Sequence, residues 1–529
     1  DAGADAYNVA VGYNAGFAMT TGINNVLIGG QAGDSLTSGS YNIAIGRLAL
    51  AAEDADGYNV AIGYAALNTQ NAGAAAYNVA VGHNAGTAIT TGTNNVIVGG
   101  LAGDALTTGQ YNIAIGRDAL TTEDTGDRNV AIGYGALYNL NYDGAAYNVA
   151  VGHSAGSQMT TGTSNTLIGG LAGDALTDGN ANVAVGRGAL SGETRGDRNV
   201  AIGYEALLAQ NNTSDVDAYN TAIGYAAGTA VTTGIQNTLI GGSAGDTLTT
   251  GSYNVAFGYN ALTTEDTGSY NTAIGRGALQ DLDAGANGHN TAVGYNAGTN
   301  VTTGVENVFI GSAAGDAITT ASANVAVGYQ ALSTEDTMGN NVAVGYKALQ
   351  DLNAGANGNN VAVGVEAGRR LSTGTGNTVV GAKAGDHLTT GHSNVAVGYQ
   401  ALTAEDEYGA NVAVGHNTLR DLDAGADAYN VAVGFEAGKV MSTGVRNVIM
   451  GGRAGDALTA GGHNVAIGYG ALSAEDAHGK NVAIGSGALY AQDAGADGYN
   501  VAVGYDAGQA VTTGISNTLI GGQAGDALT

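Results

Sequence analysis

The chain of 529 residues has no proline, no cysteine and no tryptophan, only four phenylalanines, and charge on just 12% of its positions. Without cysteine there are no disulfides and no thiol chemistry, so the sequence carries no information on redox compartment. Without proline, any backbone N–H along the chain is free to donate to a neighbouring strand. With few large side chains, the 44% of residues that are hydrophobic can build only a thin core. No apolar run approaches the roughly 20 residues that a membrane helix needs, which argues against insertion of this segment into a bilayer. Positive charge is scarce, and the net charge of −29 argues against nucleic acid or an anionic membrane as partner. Neither an initiator methionine nor a signal peptide is present, so the sequence reads as a mature or trimmed fragment of a longer repeat array.

What is abundant is repetition. An Asn followed by a short apolar run and a Gly returns thirty times, from Asn8-Val9-Ala10-Val11-Gly12 to Asn517. The Asn residues are spaced 17, 17, 17 and 19 apart, and the cycle then restarts, giving a super-repeat of 70 residues. One super-repeat has 72, because the segment between Asn199 and Asn220 is longer. A short fixed period marks a solenoid, so residues 1–529 are expected to form one elongated all-β domain, a parallel β-solenoid of thirty rungs. At about 4.8 Å per rung, the rod would be on the order of 140 Å long.

Each repeating position has a physical reading. β-branched or apolar residues two apart, as Val60 and Ile62, suggest one buried face on a short strand. The Gly that follows (Gly12, Gly29, Gly46, Gly63) turns the chain through a conformation that other residues resist. The Asn (Asn8, Asn25, Asn42, Asn59) suits the corner before the strand, through its tolerance of left-handed backbone, and stacked rungs would let it bond along the axis as a ladder. Four residues past the Gly the order is Gly, Gly, Leu, Leu in every super-repeat, beginning with Gly16, Gly33, Leu50 and Leu67.

The middle residue of the strand never becomes polar. It is Ala in 22 rungs, including Ala10, Ala44 and Ala61, and large in the other eight: Leu27, Ile97, Leu167, Leu239, Phe309, Val379, Ile449 and Leu519. A strand apolar on both faces is buried on both faces. A 17-residue rung folding two short strands over each other covers one face only, so the second is expected at a seam between parallel subunits, most simply a homotrimer. The alternative is a wider single-chain solenoid that covers this face with its own turns.

These residues carry a resemblance. Asn59-Val60-Ala61-Ile62-Gly63 and its copy at 129–133 resemble the head repeat of trimeric autotransporter adhesins of the YadA type. The stretch from Asn237-Thr238-Leu239-Ile240-Gly241 through Gly251 also resembles 17-residue shaft repeats of phage and bacterial tail-fibre-like proteins. The resemblance implies a left-handed parallel β-roll, three chains about an axis, and exposure on a cell or virion surface. The rungs here are longer than the usual autotransporter head repeat, and the sequence shows no coiled-coil stalk, membrane anchor or tail-fibre chaperone domain.

Several motifs imitate reactive sites. Gly29-Gly30-Gln31-Ala32-Gly33-Asp34-Ser35-Leu36-Thr37 nearly spells the calcium-binding nonapeptide of toxin-type β-rolls. Its Asp returns only once per super-repeat, whereas calcium needs six to eight oxygens from closely successive turns, so a turn Asp bonding local amides is the better reading. Gly152-His153-Ser154-Ala155-Gly156 and Gly241-Gly242-Ser243-Ala244-Gly245 fit the nucleophile-elbow pattern. Asn14, Gln31, Leu48 or Ala65 holds the serine position elsewhere, so catalysis is not expected.

Rung three carries an acidic pair: Glu53-Asp54, Glu123-Asp124, Glu265-Asp266, Glu335-Asp336, Glu405-Asp406 and Glu475-Asp476, with Glu193 alone. A solvated face is the expected role, and weak binding of a divalent cation such as calcium is the alternative; no other cofactor is expected. The 27 Tyr residues are expected to stack along the rod rather than to form a sugar-binding track. Thr pairs such as Thr20-Thr21 and Thr90-Thr91 would order water as in ice-binding solenoids only if their ladder were unbroken, and rungs three and four break it. The sequence thus reads as a non-enzymatic extracellular fibre shaft or head that self-associates as a trimer or end to end. An adhesin that contacts a receptor or matrix through exposed turns is the alternative, and the insertion at 209–219 is its one irregular rung.

Overall fold

The computed structural model describes residues 5–529 apart from Asp56, Met338, Ala356 and Asp406. The described residues form an all-β parallel solenoid of thirty turns, each contributing one three-residue strand, and none of them is helical. Two compact units are present, Asp1–Thr267 with β1 (Val9–Val11) through β15 (Val255–Phe257), and Gly268–Thr529 with β16 (Thr272–Ile274) through β30 (Thr518–Ile520).

Within each unit, neighbouring strands pair in parallel with no stagger. Val26, Leu27 and Ile28 of β2 (Val26–Ile28) face Ile43, Ala44 and Ile45 of β3 (Ile43–Ile45). Register survives the longer loop, where Val200 still faces Thr221. The opposite wall of each turn is not a second strand, as the rung length suggested, but a stack of tight turns. Their amides also bond the next rung: Gly16 N–H donates to Ala32 O at 3.0 Å, Gly33 to Ala49 at 3.0 Å and Leu50 to Ala66 at 3.0 Å.

The strand's faces are reversed from the sequence expectation. Leu27, Ala44 and Ala61 are 0% exposed within one chain, as are Leu167, Leu239, Phe309, Val379 and Ile449, and Ile97 is buried with them. They point into the chain's own core and are not available as a subunit seam. Only Ala10 and Leu519 keep exposure, on turns covered from one side. The flanking Val, Ile and Thr residues point outward and are half-exposed, Ile28 at 37% and Ile310 at 40%.

The Gly, Gly, Leu, Leu order now has a volume explanation. Leu27 fills the core beneath Gly16 and Gly33, where an added Cβ would come within 2.7 Å of Leu27 Cδ1 and 3.0 Å of its Cδ2. In rungs three and four the strand contributes only Ala44 and Ala61, and Leu50 and Leu67 fill the space from the turn wall. Both Leu residues adopt left-handed backbone, φ 50° and 49°. That conformation costs about 1–2 kcal/mol, comparable with the roughly 1.5–3 kcal/mol that burial of a Leu contributes.

The two most regular positions hold the rungs together. Gly12 has φ 136°, and a Cβ there would lie 2.5 Å from the carbonyl oxygen of Gly29, so the column of Gly lets successive backbones touch. The Asn ladder exists, in a specific form: each buried Asn offers Oδ1 to the main-chain N–H of the next Asn. Asn25, Asn42 and Asn59 donate in this way to Asn8, Asn25 and Asn42 at 2.8, 2.9 and 3.0 Å. The Nδ2 group donates onward as well, from Asn25 to Gly39 O at 2.9 Å. Left-handed backbone falls on the residue before the Asn, as at Asn24, Tyr41 and Tyr58, and not on the Asn itself.

Candidate functional site

One interior column departs from an apolar core. Seven residues past the strand-end Gly stand Met19, Leu36, Glu53 and Gln70 in the first four rungs, and the column repeats as Ile89, Leu106, Glu123 and Leu140. Rungs one and two thus contribute an apolar side chain where rung three contributes a carboxylate. Glu53, Glu123, Glu193, Glu265, Glu335, Glu405 and Glu475 are all fully buried. This corrects the expectation of a solvated acidic face, which holds only for the second acid: Asp54, Asp266 and Asp476 are exposed and Asp124 partly so. Asp406 lies outside the described residues. The sequence signal was the shared column position, which places the Glu where Leu stands one turn and Met or Ile two turns before it.

A buried carboxylate must be supplied with donors or lose stability. Glu193 is fully supplied. Its Oε1 accepts from the backbone N–H of Thr194, Arg195, Gly196 and Asn212 at 2.9, 3.1, 2.8 and 3.0 Å. Its Oε2 accepts from Gln210 Nε2 at 2.9 Å and Asn212 Nδ2 at 3.0 Å. Asn212 belongs to the long loop at 209–219 and stands where Tyr142 stands beside Glu123, while the following Thr213, Ser214 and Asp215 are exposed.

Glu123 has fewer partners, the N–H of Gly126 at 2.7 Å and of Tyr142 at 3.2 Å. Burial pushes its carboxyl above the ordinary range, and the backbone amides of Gly126, Tyr142 and Thr125 offset only part of the effect. Glu475 accepts from the backbone N–H of His478 at 3.0 Å, and its Oε2 has no hydrogen-bond partner among the described residues. Burial, with Asp493 and Asp476 adding to it, holds this carboxyl high as well.

The other singled-out motifs sit in turns, and the Asp of the nonapeptide-like rung is partnered unevenly: Oδ1 of Asp104, Asp246 and Asp316 is buried without a hydrogen-bond partner among the described residues. In the nonapeptide-like rung, Asp174 accepts from Ser191 Oγ at 2.5 Å and Asp456 from Ser473 Oγ. Ser154 and Ser243 sit in left-handed turns, φ 55° and 52°, with no helix following among the described residues. Tyrosines stack along the solenoid as expected: Tyr41 on Tyr58 at 5.0 Å and Tyr58 on Tyr77 at 5.1 Å. Arg128 extends such a row between Tyr111 and Tyr147, its guanidinium carbon 5.4 and 5.6 Å from the ring centroids. The Thr hydroxyls donate to backbone of the next rung, Thr90 to Thr107 O at 3.3 Å and Thr107 to Asp124 O at 2.9 Å.

No protein-family model matches the chain, and no curated protein is detectably similar to it. None of the helices that would be needed to cross a membrane occurs among the described residues.

Proposed function

We propose that the chain is the body of an extracellular fibre, a shaft or head whose work is to hold a distance by stacking, with further copies of itself as its principal partner. The observation behind this reading is the Asn ladder together with the Gly column. The two most regular residues of the turns, the Asn through its side chain and the Gly through its backbone, are spent on the next turn, and neither is directed at an outside ligand. Parallel copies, three in the autotransporter-like arrangement with left-handed winding, would meet along the outward strand face. The strand-centre residues are already consumed inside one chain, whereas Val26, Ile28, Val60 and Ile62 form a half-exposed apolar strip. β-branched side chains on a parallel sheet suit face-to-face packing.

Sedimentation equilibrium of the purified chain tests the self-association. A trimer gives three times 51.8 kDa, about 155 kDa, and Ile168→Lys with Ile310→Lys on the outward face should return it to the single-chain mass. A wild-type mass of 51.8 kDa refutes association, and leaves a single-chain shaft to be tested by whether scattering gives a length on the order of 140 Å.

A further inference from the structure

Three residues past the buried Glu of rung three, the seven super-repeats carry Asp56, Gly126, Gly196, Gly268, Met338, Tyr408 and His478. A single one of them is a metal-ligating imidazole. There the Glu475 carboxylate, the Asp476 carboxylate and the His478 ring bring one ligand atom each to within 4.8 Å of one another. The loop is closed on itself by the His478 backbone N–H, which donates to Glu475 Oε1. His478 Nδ1 stands 3.5 Å from that same oxygen. Two buried atoms of these residues have no hydrogen-bond partner among the described residues, Glu475 Oε2 and His478 Nδ1. Glu475 is fully buried, so water does not satisfy it from outside.

We propose that Glu475, Asp476 and His478 form a binding site for one transition-metal dication of the zinc class. Zinc takes imidazole nitrogen and carboxylate oxygen at about 2.0–2.2 Å in a four-coordinate shell, and three protein ligands leave one position for water. Asp476 is exposed and His478 half-buried, so both have room to close on an ion held by the fixed Glu475. Asp493 on the next turn adds negative potential at the same carboxylate. Calcium fits poorly, since it wants six to eight oxygens and takes no nitrogen by preference. The site goes beyond the shaft reading and stands whether or not the chains associate. A bound ion would satisfy the two orphaned atoms and fasten this turn to its own core.

The test is titration of the chelator-stripped full chain with zinc chloride, followed calorimetrically, and with cobalt chloride, followed by visible absorption. The expected result is a site of one ion per chain with micromolar or tighter affinity, an imidazole-and-carboxylate cobalt spectrum, and no displacement by millimolar calcium. His478→Tyr, which installs the residue that Tyr408 provides in the preceding super-repeat, should remove that site. Asp476→Asn, on an exposed side chain that the fold does not need, should weaken it at least tenfold. Absence of a stoichiometric site, displacement by calcium, or binding unchanged in both variants overturns the proposal, the last by assigning the ion to other histidines.

Discussion

Glu193 and Glu475 occupy the same position in turns four super-repeats apart, equally buried, and they are supplied in opposite ways. Around Glu193 the side chains of Gln210 and Asn212 join four backbone amides, so that six donors converge on one carboxylate. Around Glu475 the loop keeps its ordinary length, one backbone amide reaches the carboxylate, and a histidine stands beside it. The lesson is that the side chains a turn sends inward, rather than its length, decide how well a buried carboxylate is supplied. At Glu193 the Asn212 side chain and amide help to satisfy the buried carboxylate, whereas Oε2 of Glu475 is left without a hydrogen-bond partner among the described residues, as is Oε2 of Glu53, Glu335 and Glu405.

The largest expected effect comes from removing the supplied charge. Glu193→Ala strands four backbone amides and two side-chain donors in the core, and should cost roughly 3–5 kcal/mol. Because a repeat array loses stability locally, hydrogen exchange at Thr194–Gly196 is the measurement of choice, and retained protection would show that the six bonds contribute little. A smaller loss, about 1–3 kcal/mol, is expected from Asn212→Ala, which removes a side-chain donor to Glu193 and loosens the loop that carries its backbone amide. An Asn212→Ala chain as stable as wild type by urea unfolding would show that Glu193 does not need the Asn212 donors.

The smallest effect concerns Glu123, which lies between the two extremes with two donors. Its folded-state pKa is raised, from an ordinary 4.5, chiefly by burial. A group of this kind binds its proton more readily when folded. Its contribution to stability is therefore greatest below about pH 4.5 and is lost as pH rises through the folded value. Glu123→Gln, which is neutral at all pH, should gain relative to wild type at pH 7, and the difference should shrink towards zero or reverse by pH 4.5. A stability difference independent of pH would contradict the assignment of burial as the dominant cause.

Much of the architecture is legible in the sequence. The period places every strand, the Gly marks where backbones touch, and the Asn column does bond along the axis. The orientation of the strand is not legible from alternation, because in Val60-Ala61-Ile62 both faces are apolar and a period of two cannot tell inside from outside. Volume can: the large residue in rung two faces Gly16 and Gly33, and the small ones in rungs three and four face Leu50 and Leu67. The buried Glu column was hidden for a different reason. Beside an exposed Asp and near loop residues, Glu reads as a surface acid, and only comparison down its column with Leu36 and Met19 reveals that it points inward.

The exchange of volume between strand and turn wall also constrains how such a gene can change. Adjacent 17-residue units are not interchangeable, since a Leu27-type turn set beside Leu50-type neighbours would crowd one layer and leave another hollow. Unequal crossing-over that removes or adds a single unit therefore yields a mismatched junction, whereas a slip of four restores every layer. Length variants of this protein should differ in steps of about 70 residues, so that size in this lineage changes in quanta set by side-chain packing.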